Sequence, residues 1–318
     1  MLDLKSKRIL LTGGAGFLGT AVARRLVAIG VPPARIIVPR HSTHDLRRWE
    51  TCVDVVRDRD VVFHLAANVG GIGYNDAHPG RLFYDNAIMG IQLMEAARRA
   101  GVERFVVVGT TCEYPESAPV PLREESIWDG YPAPATALYG LAKKMLLAQA
   151  EAYRREYGFH AIHLLPVNLY GPGDHFDPER SHVVPALIRK VADAKRHGHS
   201  AISVWGSGKA TREFLYVDDA AEGIVLAAER YDDPAPMNLG TGTETTIEAL
   251  VRAICSLMGF PGTIQWDTSK PEGFPRRCLD VTRAKRECGF VARTSLEDGL
   301  RATIEWYAGM VRHEALVV

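Results

Sequence analysis

The sequence predicts an α/β fold, a Rossmann-like doubly wound parallel sheet with a smaller, discontinuous C-terminal lobe. Two observations predict it. Short runs that are apolar on both faces recur with helical stretches between them, and strands buried on both sides belong to a parallel sheet covered by helices. The first run also feeds a glycine-rich turn that opens a helix, the order in which dinucleotide-binding folds begin.

In chain order the runs are Arg8-Ile-Leu-Leu-Thr12, Arg35-Ile-Ile-Val38, Val61-Val-Phe-His-Leu65, Phe105-Val-Val-Val-Gly109 and Ala161-Ile-His-Leu-Leu165. After Tyr170 the texture changes. Gly171-Pro-Gly-Asp-His-Phe-Asp-Pro178 is a turn-rich crossing, followed by an expected helix over 181–194 and a strand over 202–205. Glu213-Phe-Leu-Tyr-Val-Asp-Asp219 leads into an Ala-rich helix, and Met237-Asn-Leu-Gly240 reads as a strand that returns the chain to the first sheet. Ile247, Leu250, Val251, Ile254 and Leu257 then follow a helical period. The expected division is 1–170 with 214–240 as a cofactor-binding domain, and 171–213 with 241–318 as a substrate lobe.

Composition excludes several function classes. Of 318 residues, 38 are basic and 38 acidic, which leaves a formal net charge of +0 and no global field to hold a polyanion. A nucleic-acid partner is therefore not expected. No stretch reaches the roughly 18 apolar residues of a spanning helix, and Met1 to Arg8 offers no signal-peptide core, so a cytoplasmic protein with no membrane partner is expected. Cysteines at 52, 112, 255, 278 and 288 form no C-x-x-C pair, which suggests neither a disulfide framework nor a metal site. Four read as small core residues; the neighbours of Cys112 set it apart.

The first run enters Gly13-Gly-Ala-Gly16-Phe-Leu-Gly19 and then a helix. Gly13 suits a tight turn, Gly16 lets backbone amides approach a pyrophosphate, and Phe17 and Leu18 open the helix whose positive end faces the phosphates. Gly19 lets that helix pack on the strand. Where an acidic residue would accept a ribose 2′-hydroxyl at the end of the second run, the sequence has Pro39-Arg40-His41-Ser42. Arg40, with no carboxylate nearby, favours a 2′-phosphate and so NADP, although a solvated arginine is the plainer alternative. Asp45 and Leu46 have the look of an adenine contact, and Leu65, Ala66 and Ala67 close the third strand with small residues.

Tyr139-Gly-Leu-Ala-Lys143 places a phenol and an ammonium on one helix face. A nearby lysine is expected to lower the tyrosine pKa, which makes Tyr139 a proton donor or acceptor for a carbonyl oxygen. The fourth strand ends in Gly109-Thr110-Thr111-Cys112-Glu113-Tyr114-Pro115, with hydroxyls at the carboxyl edge of the sheet, where open α/β folds bind ligands.

These residues resemble the extended short-chain dehydrogenase/reductase family, and within it the GDP-L-fucose synthase branch. The resemblance runs nearly end to end through Asn68-Val-Gly-Gly-Ile-Gly73, Asn168-Leu-Tyr-Gly-Pro-Gly-Asp174, Ser181-His-Val-Val-Pro-Ala-Leu-Ile188, Val204-Trp-Gly206, Arg212-Glu-Phe-Leu-Tyr-Val-Asp-Asp219, Asn238-Leu-Gly-Thr-Gly242 and Trp266-Asp-Thr-Ser-Lys-Pro271. It implies epimerisation of GDP-4-keto-6-deoxy-D-mannose at C3 and C5, then NADPH reduction of the C4 ketone. Tyr139 would protonate the C4 oxygen, Lys143 would hold the nicotinamide ribose, and Thr110 would stand where the family has a serine. Cys112 and His182 would be the acid/base pair, against the bland readings of a buried thiol and a satisfied histidine. Pro166, Asn168, Leu169 and His182 would line the cofactor. Thr111, Asn168, Val183, Lys190, Trp205, Arg212 and Arg276 would hold the nucleotide sugar.

Glu113 departs from the family's usual apolar residue after the cysteine. The helices around 86–100 and 139–157 carry apolar residues on more than one face, including Ile88, Leu93, Met145, Leu146 and Leu147, which suggests a homodimer. Two other functions stay open: a sister enzyme that epimerises another nucleotide sugar without net redox, and a non-catalytic NADP-binding sensor.

Overall fold

The structure is a computed structural model and describes residues 1–178, 181–270 and 273–317. Its first half alternates strand and helix: β1 (Ile9–Thr12), α1 (Phe17–Ala28), β2 (Ile36–Ile37), α2 (Trp49–Val56), β3 (Val61–His64), α3 (Ile72–Ala77), α4 (Pro79–Arg99), β4 (Arg104–Val108), α5 (Ala137–Tyr157), β5 (Ala161–Pro166) and β6 (Asn168–Tyr170). Next come α6 (Val183–Arg196), β7 (Ala201–Trp205), β8 (Thr211–Arg212), β9 (Phe214–Tyr216), α7 (Val217–Arg230) and β10 (Met237–Leu239). The chain ends with β11 (Thr245–Thr246), α8 (Ile247–Leu257), β12 (Thr263–Asp267), α9 (Thr282–Cys288) and α10 (Leu296–Val317).

Six strands form one parallel sheet in the order β10-β5-β4-β3-β1-β2. Successive apolar residues of β1, β3 and β4 feed opposite layers. Leu11, Phe63, Val106 and Ile162 join a core with residues of α1 and α7, whereas Leu10, Val62, Phe105 and Val107 join a second core with α2, α4 and α5. That two-residue alternation, with both faces apolar, is why the strands read as continuous hydrophobic runs. Each fully buried large side chain contributes about 2 kcal/mol of transfer free energy. The order reverses at β1, which has β2 on one side and β3 on the other. The glycine turn after β1 therefore lies at the switch point where such sheets bind ligands.

The expected return strand is β10, which pairs with β5 in the register Met237–Leu164. Where boundaries differ, local chemistry explains it. β2 keeps only two of its four expected residues, because a 3-10 turn at Pro33–Arg35 precedes it and Pro39 follows it at the sheet edge. The helix expected from 181 begins at Val183, since His182 is its extended N-cap.

Beyond the main sheet, β7 pairs in parallel with β12, a strand the sequence pattern did not single out. α6, α8 and α10 cover this pair with a third core that includes Ile188, Val191, Leu250, Ile254 and Tyr307. Buried Glu213 ties the parts together. Its carboxylate accepts from the backbone N–H groups of Gly242 and Leu279, each at 2.7 Å, while its carbonyl accepts from Asn168 Nδ2 at 3.0 Å.

Candidate active site

The turn after β1 is built by its glycines. Gly13 has φ +71°, and a Cβ there would lie 2.7 Å from Ala66 N, so the turn and the exit of β3 touch. A Cβ on Gly19 would lie 2.1 Å from the Gly13 carbonyl oxygen, which lets α1 start directly on the turn. Gly16, Phe17 and Leu18 occupy the helix entrance, and no side chain caps it. The first amides of a helix lack intrahelical acceptors, so this entrance offers free donors and positive potential to a phosphate. Leu65, Ala66 and Ala67 are half-buried beside it, with Ala66 N donating to Thr12 Oγ1 at 3.3 Å.

Arg40 follows β2 and is exposed. Its carbonyl accepts from Thr43 N and His44 N in a turn, while its guanidinium makes no hydrogen bond or ion pair among the described residues. Asp45 and Leu46, nominated as an adenine contact, follow on the same loop. The Asp45 carboxylate accepts from Arg47, which holds its pKa down to about 2, and Leu46 is buried in the core against Cys52. Arg47 continues to Asp85 at 3.2 Å, and Asp85 accepts from Asn68 Nδ2 at 3.1 Å, so this network orders the loop after β3.

At the end of β4, Thr110 caps a 3-10 turn over Thr111–Glu113. Thr110 Oγ1 accepts from Cys112 N at 3.2 Å, and Glu113 Oε1 accepts from Thr110 N at 2.9 Å. α5 packs hard against this turn: a Cβ on Gly140 would lie 2.2 Å from the Cys112 carbonyl oxygen. That approach sets Tyr139 and Lys143 beside the turn. Both are buried, and Lys143 Nζ donates to the Val108 carbonyl at 3.0 Å.

The electrostatics correct one expectation. Lys143 does not bring the Tyr139 pKa down; burial, helped by Cys112 and Glu113, pushes the phenol above its ordinary value. The ammonium is engaged by the Val108 carbonyl, and its own pKa is lowered by burial to about 8 despite the favourable Glu113 carboxylate. Tyr139 is thus a neutral phenol beside a lysine poised to lose its proton slightly above neutrality.

His182, exposed at the start of α6, follows Ser181, whose carbonyl oxygen lies 3.1 Å from where a Gly71 Cβ would stand. The loop after β3 therefore abuts the His182–Val183 entrance. Pro166 ends β5, and Asn168 and Leu169 begin β6. The remaining nominated residues lie on α6, β7, β8 and the segment before α9. Lys190 Nζ donates to the Ser203 carbonyl, and Trp205 is 59% exposed at the end of β7 with Lys270 Nζ 5.9 Å from its ring centre. Arg212 donates from β8 to the carbonyls of Thr211 and Phe274, and Arg276 forms an ion pair with Glu244. Pro271 of the Trp266–Pro271 stretch lies outside the described residues.

Sequence reasoning missed Arg277, whose neighbour Arg276 drew the attention. Arg277 Nη1 donates to the Thr111 carbonyl at 2.7 Å. Pro115, Leu122, Phe274, Arg276 and Arg277 line a cavity of about 230 Å³ beside the turn. The available signal was the doublet of arginines itself, beside the nominated Arg276.

Residues 9–240 match the model of the NAD dependent epimerase/dehydratase family. The chain is 38% identical to GDP-L-fucose synthase of Sinorhizobium fredii over 313 residues, covering 98% of each chain. Its fold is similar to the NADP-bound GDP-L-fucose synthetase of Naegleria fowleri, with a TM-score of 0.89, 27% identity and coverage of 98% of this chain and 95% of that one. It is equally similar to a GDP-6-OMe-4-keto-L-xylo-heptose reductase from C. jejuni, with a TM-score of 0.89, 25% identity and coverage of 97% and 99%.

Proposed function

The chain belongs to the NAD dependent epimerase/dehydratase family, and on that premise we propose that it converts GDP-4-keto-6-deoxy-D-mannose to GDP-L-fucose, by inversion at C3 and C5 and then NADPH-dependent reduction at C4. The observation that carries this reading is the buried Tyr139–Lys143 pair set against the turn that bears Thr110 and Cys112. The naming of the Sinorhizobium relative supports the sugar.

The entrance of α1 and the Arg40 guanidinium, both without a side-chain partner among the described residues, fit an NADP cofactor. Gly13, Gly16, Phe17 and Leu18 would hold its pyrophosphate, Arg40 its 2′-phosphate, and Leu65, Ala66, Ala67, Pro166, Asn168 and Leu169 its remaining surface. When bound, NADPH supplies the hydride. Tyr139 donates its proton to the C4 oxygen, a role suited to a phenol that burial keeps protonated. Lys143 holds the ribose hydroxyls and, below about pH 8, places a positive charge beside the oxyanion that Tyr139 quenches. Thr110 donates a hydrogen bond to the same oxygen. Protons at C3 and C5 are acidified by the ketone, and inversion needs a base on one side and an acid on the other, the roles of Cys112 and His182.

In this reading 1–170 with 214–240 bind the cofactor, and 171–213 with 241–318 bind the nucleotide sugar through Thr111, Val183, Lys190, Trp205, Arg212 and Arg276. Exposed Leu138 and Met145, seven residues apart on α5, together with Tyr84 on α4, support a homodimer. The protein would act in the cytoplasm. The deciding experiment incubates the purified protein with NADPH and GDP-4-keto-6-deoxy-D-mannose and identifies the product by NMR. GDP-L-fucose with one NADPH consumed is expected. An epimerised sugar with no NADPH consumed would overturn the reading in favour of a sister epimerase.

A further inference from the structure

Beneath the catalytic turn lies a buried pair that the proposed chemistry does not use. Glu113 and His163 are fully buried, the first on the turn after β4 and the second on β5. His163 Nε2 lies 2.9 Å from Glu113 Oε2 and 3.1 Å from Oε1. Both lie flush against the end of β4, since a Cβ on Gly109 would come within 2.3 Å of Glu113 Oε1 and 2.4 Å of His163 Nε2.

The protonation state follows from the hydrogen bonds. His163 Nδ1 is buried with no partner among the described residues. A proton there would be an unsatisfied buried donor, so the ring is neutral, with its single N–H on Nε2 donating to the carboxylate. Glu113 is left as a buried anion that accepts from His163 and from the Thr110 backbone. A buried carboxylate is costly, and an apolar side chain of similar volume would fill the space more cheaply. Its charge therefore calls for a use beyond packing.

We propose that Glu113, held by His163, is a positioning residue for ketone reduction, fixing Thr110 at the sheet edge and placing a buried negative charge toward Lys143. The proposal rests on the epimerase/reductase reading above. Groups facing the pair come from every adjoining element: Tyr139, Lys143 and Lys144 from α5, Cys112 and Tyr114 from the turn, and His64 from β3 against Lys143. Burial holds His64 neutral, with its pKa lowered to about 3, so Glu113 is the anion that favours the Lys143 charge. Removing that anion lowers the pKa of Lys143, and it lowers that of Tyr139 as well, because Glu113 opposes phenolate. Both changes move the loss of reductase activity to lower pH.

Glu113→Gln tests this at nearly constant shape: the amide oxygen still accepts from Thr110 N, while the amide N–H₂ donates to His163 Nε2 only in the tautomer that leaves a buried proton on Nδ1, so the melting temperature is measured beside the kinetics. The expected kcat for reduction of GDP-4-keto-6-deoxy-D-mannose falls about tenfold at pH 8 and little below pH 6.5, with KM and NADPH affinity unchanged. A readout independent of turnover is the ¹³C-ε lysine NMR titration of the cofactor-free protein, with the Lys143 resonance assigned by its loss in Lys143→Met. Its midpoint near pH 8 is expected to move to lower pH in Glu113→Gln. An unmoved midpoint and a superimposable pH profile, with or without a lower melting temperature, would reduce Glu113 to a packing residue. If the parent protein leaves the 4-keto sugar unreduced, the enzymatic reading fails, while the Lys143 titration still judges the electrostatic claim.

Discussion

The guanidinium of Arg277 donates to the carbonyl oxygen of Thr111 at 2.7 Å, with its carbon 4.0 Å from the centre of the Phe274 ring. One side chain thereby fastens the segment before α9 to the turn that carries Thr110 and Cys112. Charge-assisted hydrogen bonds of this kind are worth roughly 1.5 to 3 kcal/mol. Arg277→Ala should cut kcat/KM for the 4-keto sugar by about tenfold or more and leave NADPH affinity unchanged. Steady-state kinetics beside a fluorescence titration with NADPH check this. A change below twofold would mean that the strut does not position the turn.

Arg40 makes the matching prediction for the cofactor. Its guanidinium is exposed, without an ion pair among the described residues, beyond the short edge strand β2. NADPH should bind more tightly than NADH, and Arg40→Ala should weaken NADPH by about tenfold while sparing NADH. Equal affinities of the parent protein for the two cofactors would contradict the assignment.

Tyr139 and Cys112 should separate the two proposed steps. Tyr139→Phe removes a positioned proton donor, which costs on the order of 10² to 10⁴ in rate, so NADPH oxidation with the 4-keto sugar should nearly cease. Exchange of the sugar's C3 and C5 protons in D₂O should continue. Cys112→Ser should reverse the pattern, because a serine hydroxyl stays protonated where a thiolate can act as base. Mass spectrometry of the recovered sugar reads the exchange, and a Cys112→Ser protein that exchanges as fast as its parent would leave the thiol no part in epimerisation.

Much of this was written in the pattern of the chain. Residues such as Leu10 and Leu11 are both apolar because adjacent positions of a doubly covered strand enter different cores, and that two-sided burial is visible in sequence. Gly13, Tyr139 and Lys143 were visible because their roles depend on local spacing. What spacing does not encode is contact between distant segments. The partnership of Glu113 with His163 spans 50 positions, and that of Thr111 with Arg277 spans 166. β12 was hidden because it is half-buried and packs in a two-stranded sheet, so it lacks the apolar run that marked β1, β3 and β4. Lys143 was located by its motif, yet its effect on Tyr139 was misjudged, since burial of the phenol depends on how tightly α5 sits on the turn.

Asp174 carries the last prediction. Oδ1 accepts from His175 N at 2.7 Å, but Oδ2 is buried without a partner among the described residues, in the wall of a cavity of about 810 Å³. Burial pushes its pKa up to about 7 from an ordinary 3.8. A carboxyl that holds its proton more tightly when folded binds more protons in the native than in the unfolded state between about pH 4 and pH 7. Stability therefore falls as pH rises through that window. Asp174→Asn keeps the acceptor for His175 N and removes the ionisation. In urea denaturation the variant and parent should be similar at pH 4, and the variant should be the more stable at pH 8. The ceiling is about 4 kcal/mol, from roughly three pKa units at about 1.4 kcal/mol each, and water entering the cavity would reduce it. Other titrating groups cancel in the comparison, because both proteins share them. Stability curves that run parallel from pH 4 to pH 8 would mean that Asp174 ionises in the folded chain as readily as in the unfolded one.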